Sequence, residues 1–188
     1  AAASIDARES VELSPEKGGR VRQVLFREGN KVNKGALLVK LNDDDLQAQL
    51  KRLELQLELS MQRLARLEKL LAVNGTSQEE FDQMSNNVAV LEADIELTKA
   101  EIAKTEIRAP FQGVLGLKNI SEGAVIQAGI PIVSLVQQDD LLLDFLIPER
   151  YYGQVNLAMP VQFQVEGQAG EFTARIIALE PRIEEGTR

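Results

Sequence analysis

The stretch GRVRQVLFREGNKVNKGALLVKLNDDD (Gly19 to Asp45) returns 94 residues later as GVLGLKNISEGAVIQAGIPIVSLVQQD (Gly113 to Asp139). Gly19/Gly113, Glu28/Glu122, Gly29/Gly123, Gly35/Gly129, Val39/Val133, Leu41/Leu135 and Asp45/Asp139 are identical, and Val32/Ile126 and Leu38/Ile132 are conservative. An internal repeat defines the folding unit before any local reading does. Each copy consists of short apolar runs divided by glycines, such as Val21–Phe26, a turn at Glu28-Gly29-Asn30, Val32, a turn at Gly35, then Leu37–Leu41. That is the signature of strands and tight turns. A half of this size cannot bury its apolar face alone, so the two halves are expected to close against each other as a flattened barrel or sandwich.

A different period lies between the copies. Leu46, Leu50, Leu53, Leu57, Ser60, Leu64, Leu67 and Leu71 alternate steps of four and three, as do Phe81, Met84, Val88, Leu91, Ile95, Thr98, Ile102 and Thr105. A 3.5-residue repeat is a coiled-coil seam, here with Ser60 as the polar slot of the first series. Asn74-Gly75 can end the first helix through a left-handed glycine, and Ser77-Gln78-Glu79-Glu80 fits a capping box that starts the second. So short a link makes the helices antiparallel, with a reach of roughly 45 Å for about thirty residues at 1.5 Å each. Leu55, Leu59 and Leu70 lie off the seam, which implies that the outer surface also meets something. On heptads alone, a rigid spacer or tether is the competing reading.

Composition removes most other functions. The 188 residues contain no cysteine and no histidine, so thiol nucleophiles, Ser-His dyads and the usual zinc sites are absent. A net charge of −8 opposes nucleic-acid binding, which needs a basic surface. No apolar run approaches the ~20 residues of a membrane-spanning helix. Met61, Met84 and Met159 are scattered rather than clustered, which disfavours soft-metal export. A cysteine-free chain suits an oxidising compartment and equally the cytosol.

The split repeat resembles the biotinyl/lipoyl fold. The segment Thr105-Glu106-Ile107-Arg108-Ala109-Pro110-Phe111-Gln112-Gly113-Val114-Leu115-Gly116 closely resembles the stretch by which periplasmic adaptor (membrane fusion) proteins of the HlyD-like family re-enter their lipoyl domain. Ile147-Pro148-Glu149-Arg150 and Glu180-Pro181-Arg182-Ile183, with Thr187-Arg188, look like that family's β-barrel. The resemblance implies an elongated, multidomain α+β chain. Residues 1–12 would be a lead-in strand from the barrel, 13–42 and 106–137 the two halves of the lipoyl-like domain, 43–105 the helical hairpin with its tip at 73–77, and 138–188 a β-barrel, cut short before a membrane-proximal domain. In the barrel, Leu141–Ile147, Val161–Val165 and Phe172–Leu179 read as strands, Pro148–Tyr152 as a short helix and Gly167–Gly170 as a hairpin turn. Lipoyl domains that carry a cofactor hold it on a turn lysine. The matching positions are Asp45 and Asp139, and Lys40 lies inside a strand, so no cofactor, metal or catalytic residue is expected and an enzyme carrier subunit is the remote alternative.

For adaptors that engage a TolC-like outer-membrane channel, the resemblance also implies an Arg-x3-Leu-x6-Ser signature across the hairpin tip. Arg66, Leu70 and Ser77 have that spacing, followed by Glu80-Phe81-Asp82. Taken singly, Arg66 could be merely solvated, Leu70 packed locally and Ser77 only a cap. The resemblance therefore implies a periplasmic adaptor, anchored to the inner membrane in the full-length protein, that bridges an inner-membrane transporter, preferably of the resistance-nodulation-division type, to the channel and assembles as a hexamer. An adaptor of an ABC-type exporter is the alternative. Asp43-Asp44-Asp45 and Thr105–Pro110 are the expected flexure points.

Overall fold

The computed structural model describes residues 3–147, 149–165 and 170–180. It is a mixed α+β chain that divides into two compact units, Glu9–Gln137 and the pair of segments Ala1–Arg8 and Gln138–Arg188. The first unit contains β2 (Ser10–Leu13), β3 (Gly19–Val24), β4 (Lys31–Val32), β5 (Leu37–Leu41), α1 (Asp44–Leu71), α2 (Gln78–Ala103), β6 (Glu106–Arg108), β7 (Gly113–Leu115), β8 (Val125–Ile126) and β9 (Val133–Val136). Its strands form two four-stranded sheets in the orders β2-β9-β7-β4 and β6-β5-β3-β8.

Those two orders interconvert when each strand of one repeat copy is exchanged for its counterpart, 94 residues away, in the other. Val21 pairs with Leu41 and Leu115 with Leu135; Val39 pairs with Ile107 and Leu13 with Val133; Gly19 pairs with Ile126 and Val32 with Gly113. The side chains obey the same exchange. Glu28 accepts from the Lys118 amide at 2.9 Å, and Glu122 accepts from the Val24 amide at 3.0 Å. So do the turns, where the Gly35 amide reaches the Ala109 carbonyl and the Gly129 amide the Pro15 carbonyl. Gly35 and Gly129 have φ of +81° and +79°, where an L side chain is strained, which explains why the repeat keeps glycine at both. The duplication thus extends about eight residues upstream of its visible sequence identity. Its apolar residues from both sheets form one core, with Val21, Leu38, Val39, Leu41, Leu115, Ile132, Val133 and Leu135 almost wholly buried.

The lead-in strand expected over residues 1–12 is divided between the units. β1 (Ala3–Ala7) pairs with β10 (Leu141–Phe145) in the second unit, whereas Ser10–Leu13 pairs with β9 and belongs to the sandwich. Alternation of apolar residues cannot place that break, because both halves are strands. The second unit also holds a six-residue 3-10 helix, Glu149–Gln154, and the pair β11 (Pro160–Phe163) and β12 (Phe172–Arg175), where Phe163 and Phe172 stack with centroids 5.7 Å apart. The strands are shorter than expected at their C-terminal ends. Pro148, most of the Gly167–Gly170 turn and the Pro181–Arg188 motif lie outside the described residues.

Gly113 shows how tightly the sandwich closes. A Cβ there would stand 2.6 Å from the Val136 carbonyl oxygen and 3.1 Å from a Leu135 methyl, atoms that the β7–β9 pairing holds in place. Gly113→Ala is expected to destabilise the sandwich by about 1–3 kcal/mol, the usual range for overpacking. Gly116→Ala would meet only the Ser134 hydroxyl, which can rotate away, and should cost less. Urea titration of the two variants side by side checks the order.

Candidate partner-docking site at the arm tip

The two helices lie between β5 and β6 and pack on one another. Every residue assigned to the seam, from Leu46 to Leu71 and from Phe81 to Thr105, is buried or half-buried. The polar slot is satisfied across the interface: Asn87 Nδ2 donates to Ser60 Oγ at 3.1 Å. Ser60 lies about three turns before the end of α1 and Asn87 between two and three turns after the start of α2, as an antiparallel pair allows.

The tip is built by two end motifs. After α1 the Gly75 amide donates to the Leu70 carbonyl at 2.7 Å and the Asn74 amide to the Leu71 carbonyl at 3.1 Å, the paired bonds of a Schellman ending. The left-handed residue is Asn74, at φ +55°, and not Gly75 as expected. Asparagine tolerates that region. A Cβ on Gly75 would come within 3.3 Å of Leu70 Cδ2 and O, a tight contact that asks Leu70 to give by a few tenths of an ångström. Before α2, Ser77 Oγ accepts from the Glu80 amide at 3.1 Å, as a cap should. The other half of the expected box differs, because the Glu80 carboxylate accepts from the Thr76 hydroxyl at 2.6 Å.

Arg66, Leu70 and Ser77 are all exposed. Arg66 Nε donates to the Gln62 carbonyl one turn back, which leaves the rest of its guanidinium fork directed to solvent. Leu70 is 45% exposed, and Val73, which the spacing argument passed over, is 72% exposed at the same end. A cation, two uncovered apolar side chains and a hydroxyl therefore lie toward the free end of the helix pair. The missed signal was Val73 itself, an apolar residue beside a polar turn and outside the seam.

At the other end of the arm lies a cluster that sequence reading also missed. Lys40 Nζ, on β5, reaches Asp43 Oδ2 at 2.8 Å, Glu106 Oε1 at 3.0 Å and Thr105 Oγ1 at 3.3 Å. Gln47 Nε2 donates to the same Asp43 oxygen at 2.9 Å, and Asp43 and Thr105 are each 2% exposed. Burial disfavours both charges, but the hydrogen bonds outweigh it: Lys40 is raised above the ordinary lysine value, and Asp43 is held below the ordinary carboxylate value. Glu106 is likewise lowered, first by its hydrogen bond from Arg108 and then by that from Lys40. The Asp43 and Glu106 contributions to stability are thus complete above the unfolded carboxylate range and lost only as pH falls through their depressed values. The Lys40 contribution is complete below the unfolded lysine value and lost as pH rises through its raised one. The cluster is fully charged throughout the neutral range. Asp43 and Thr105, two of the residues expected as flexure points, are both bonded to β5, Asp43 through Lys40 and Thr105 through Lys40 and the Leu41 amide. Lys40, read as a strand residue without a cofactor role, is in β5 with its amine engaged in these bonds.

Residues 9–138 match the family described as RND MFP, barrel-sandwich hybrid domain. An uncharacterized protein of Haemophilus influenzae is 32% identical over 176 residues, covering 93% of this chain and 46% of its own length. Multidrug resistance protein MdtA of Proteus mirabilis is 31% identical over 171 residues, covering 82% and 42%. The chain thus spans a little under half the length of these relatives. Among solved structures, a MacA-MexA chimeric protein containing the α-hairpin domain of Pseudomonas aeruginosa MexA matches with a TM-score of 0.83 at 18% identity, over 96% of this chain and 66% of that one, a likeness of fold. With a family match across residues 9–138 and a relative above 30% identity over nearly all of this chain, the chain belongs to the RND membrane fusion proteins and carries their barrel-sandwich hybrid domain.

Proposed function

We propose that this chain is the arm-bearing part of a periplasmic adaptor in a drug-efflux pump, without chemistry of its own. Its hairpin docks tip-first on a TolC-like outer-membrane channel, and the remainder of the full-length protein, anchored to the inner membrane, engages a transporter of the resistance-nodulation-division type. The observation that carries this reading is the tip, where Leu70 and Ser77 stand exposed in two end motifs and Arg66, exposed on α1, spends one N–H on the Gln62 carbonyl. Membership in the RND family supports that transporter class over an ABC-type exporter, and the drug-resistance name of the Proteus relative supports efflux.

Self-association, as a hexamer in the pump, is the second part of the reading. Residues at about 100° per position place Arg52, Leu55, Leu59, Arg63 and Arg66 on one exposed side of α1, away from the seam. Val90 and Leu97 are exposed on α2 away from its seam, with Asp94 and Glu96 between them and Lys99 paired to Glu96 at 2.9 Å. Apolar residues exposed off the seam on both helices, flanked by Arg52, Arg63 and Arg66 on α1, support packing of copies side by side, and closed rotational symmetry ends such a series.

The test is capture in living cells. A cysteine placed at Ser77 of the full-length protein, in a chain whose 188 residues here contain no other, is treated with a short cross-linker and the adduct is identified by mass spectrometry. The expected product joins the adaptor to an outer-membrane channel. A functional variant that yields only adaptor–adaptor adducts defeats tip docking and favours a self-associating tether.

A further inference from the structure

We infer that Lys40 is a positioning residue that fastens the helical arm to the sandwich, so that the two move as one body and the aim of the tip is set at the arm's root. Lys40 belongs to β5, a central strand of its sheet. Its ammonium contacts Asp43, the residue just before α1, together with Thr105 and Glu106, which follow α2. One side chain therefore holds both feet of the hairpin. The Leu41 amide adds a bond to the Thr105 carbonyl at 2.9 Å, and Thr105 Oγ1 donates to the Ile102 carbonyl at 2.6 Å. Two ion pairs brace the same feet from other segments: Arg22 of β3 to Asp44 at 2.5 Å, and Lys17 to Glu101 at 3.1 Å.

The internal duplication supplies a control within the same molecule. The backbone pairing at the arm's root recurs at the equivalent place in the other copy, where Val11 pairs with Leu135. There the positions equivalent to Lys40, Asp43 and Glu106 are Ser134, Gln137 and Glu12, a set with no cation. The sandwich therefore closes without such a cluster, and the one at the arm's root is specific to carrying the arm. Burial strengthens it, because a charge-assisted bond that water rarely reaches is harder to exchange than an exposed pair. Hairpins joined to a domain by two single strands would otherwise pivot, since each link leaves soft φ and ψ angles. This inference does not depend on what the tip binds.

Spin labels on Lys34→Cys in the sandwich and Asn86→Cys on α2, both exposed sites in a chain without native cysteine, report the angle of the arm as a distance distribution. The parent chain should give one narrow peak. Lys40→Met, similar in length but without charge, should at least double its width and speed amide exchange of residues 43–47 and 102–106 by tenfold or more, with the helices retained. Glu106→Gln keeps the shape, removes one carboxylate, and should broaden the peak less; it decides the matter if Lys40→Met does not fold. A broad peak in the parent, or an unchanged peak and unchanged exchange in the folded variants, overturns the inference.

Discussion

Leu135→Ala is expected to lower the stability of the sandwich by about 2–5 kcal/mol, the cost of emptying a fully packed leucine site. Leu135 is 0% exposed and lies on β9 opposite Leu115, in contact with the core that both sheets share. Leu41, its counterpart in the first copy, is 1% exposed and lies opposite Val21. Leu41→Ala should therefore cost nearly as much. For a unit of this size each kcal/mol is worth about 2–4 °C in melting temperature, so both changes are readable by calorimetry. The two variants should separate in amide exchange. The Leu41 amide, which the alanine variant keeps, is bonded to the Thr105 carbonyl beside Lys40, so the cavity left by Leu41 lies at the root of the arm and should speed exchange there more than the one left by Leu135. A near-silent result at either position would mean that the duplication shares topology but not packing.

Arg66→Glu should act in the opposite way, with large functional loss and almost none in stability. The side chain is exposed and its described bond is to a carbonyl of its own helix, so reversal should change folding by no more than about 0.5 kcal/mol. Channel capture through the Ser77→Cys cross-link should fall at least tenfold in the full-length protein, and drug resistance that depends on the pump should fall with it. Arg66→Lys is informative beside it. It keeps the charge but loses the planar fork, so an intermediate loss points to directed hydrogen bonding, while full function points to charge alone. Normal capture by a folded Arg66→Glu protein would remove Arg66 from the docking site and leave Leu70 and Val73 as the residues to test.

The repeat, the glycine turns and both seams could be read directly because each is a matter of spacing along the chain. A heptad survives in sequence as steps of four and three, and the left-handed turns at Gly35 and Gly129 leave their mark as the one residue that adopts φ near +80° freely. The Ser77 cap was legible for the same reason, its acceptor and donor being three residues apart. Where two local solutions were open, as at Asn74-Gly75, spacing could not choose between them. The packing of Leu70 against the Gly75 backbone accompanies a left-handed Asn74.

What only the tertiary structure decided involves partners that are distant in sequence. That Ser10–Leu13 belongs to the sandwich follows from its bonds to β9, more than a hundred residues on. The reciprocal Glu28 and Glu122 bonds, and the grip of Lys40 on both feet of the arm, depend on side chains that meet only after the two copies close. Sequence by itself determined the period of each segment and the places where the backbone must turn, since those are set by local sterics. Folding determined which charges lose their water and therefore which must find partners, and that is why a strand lysine with no visible role in the chain became the anchor of the arm.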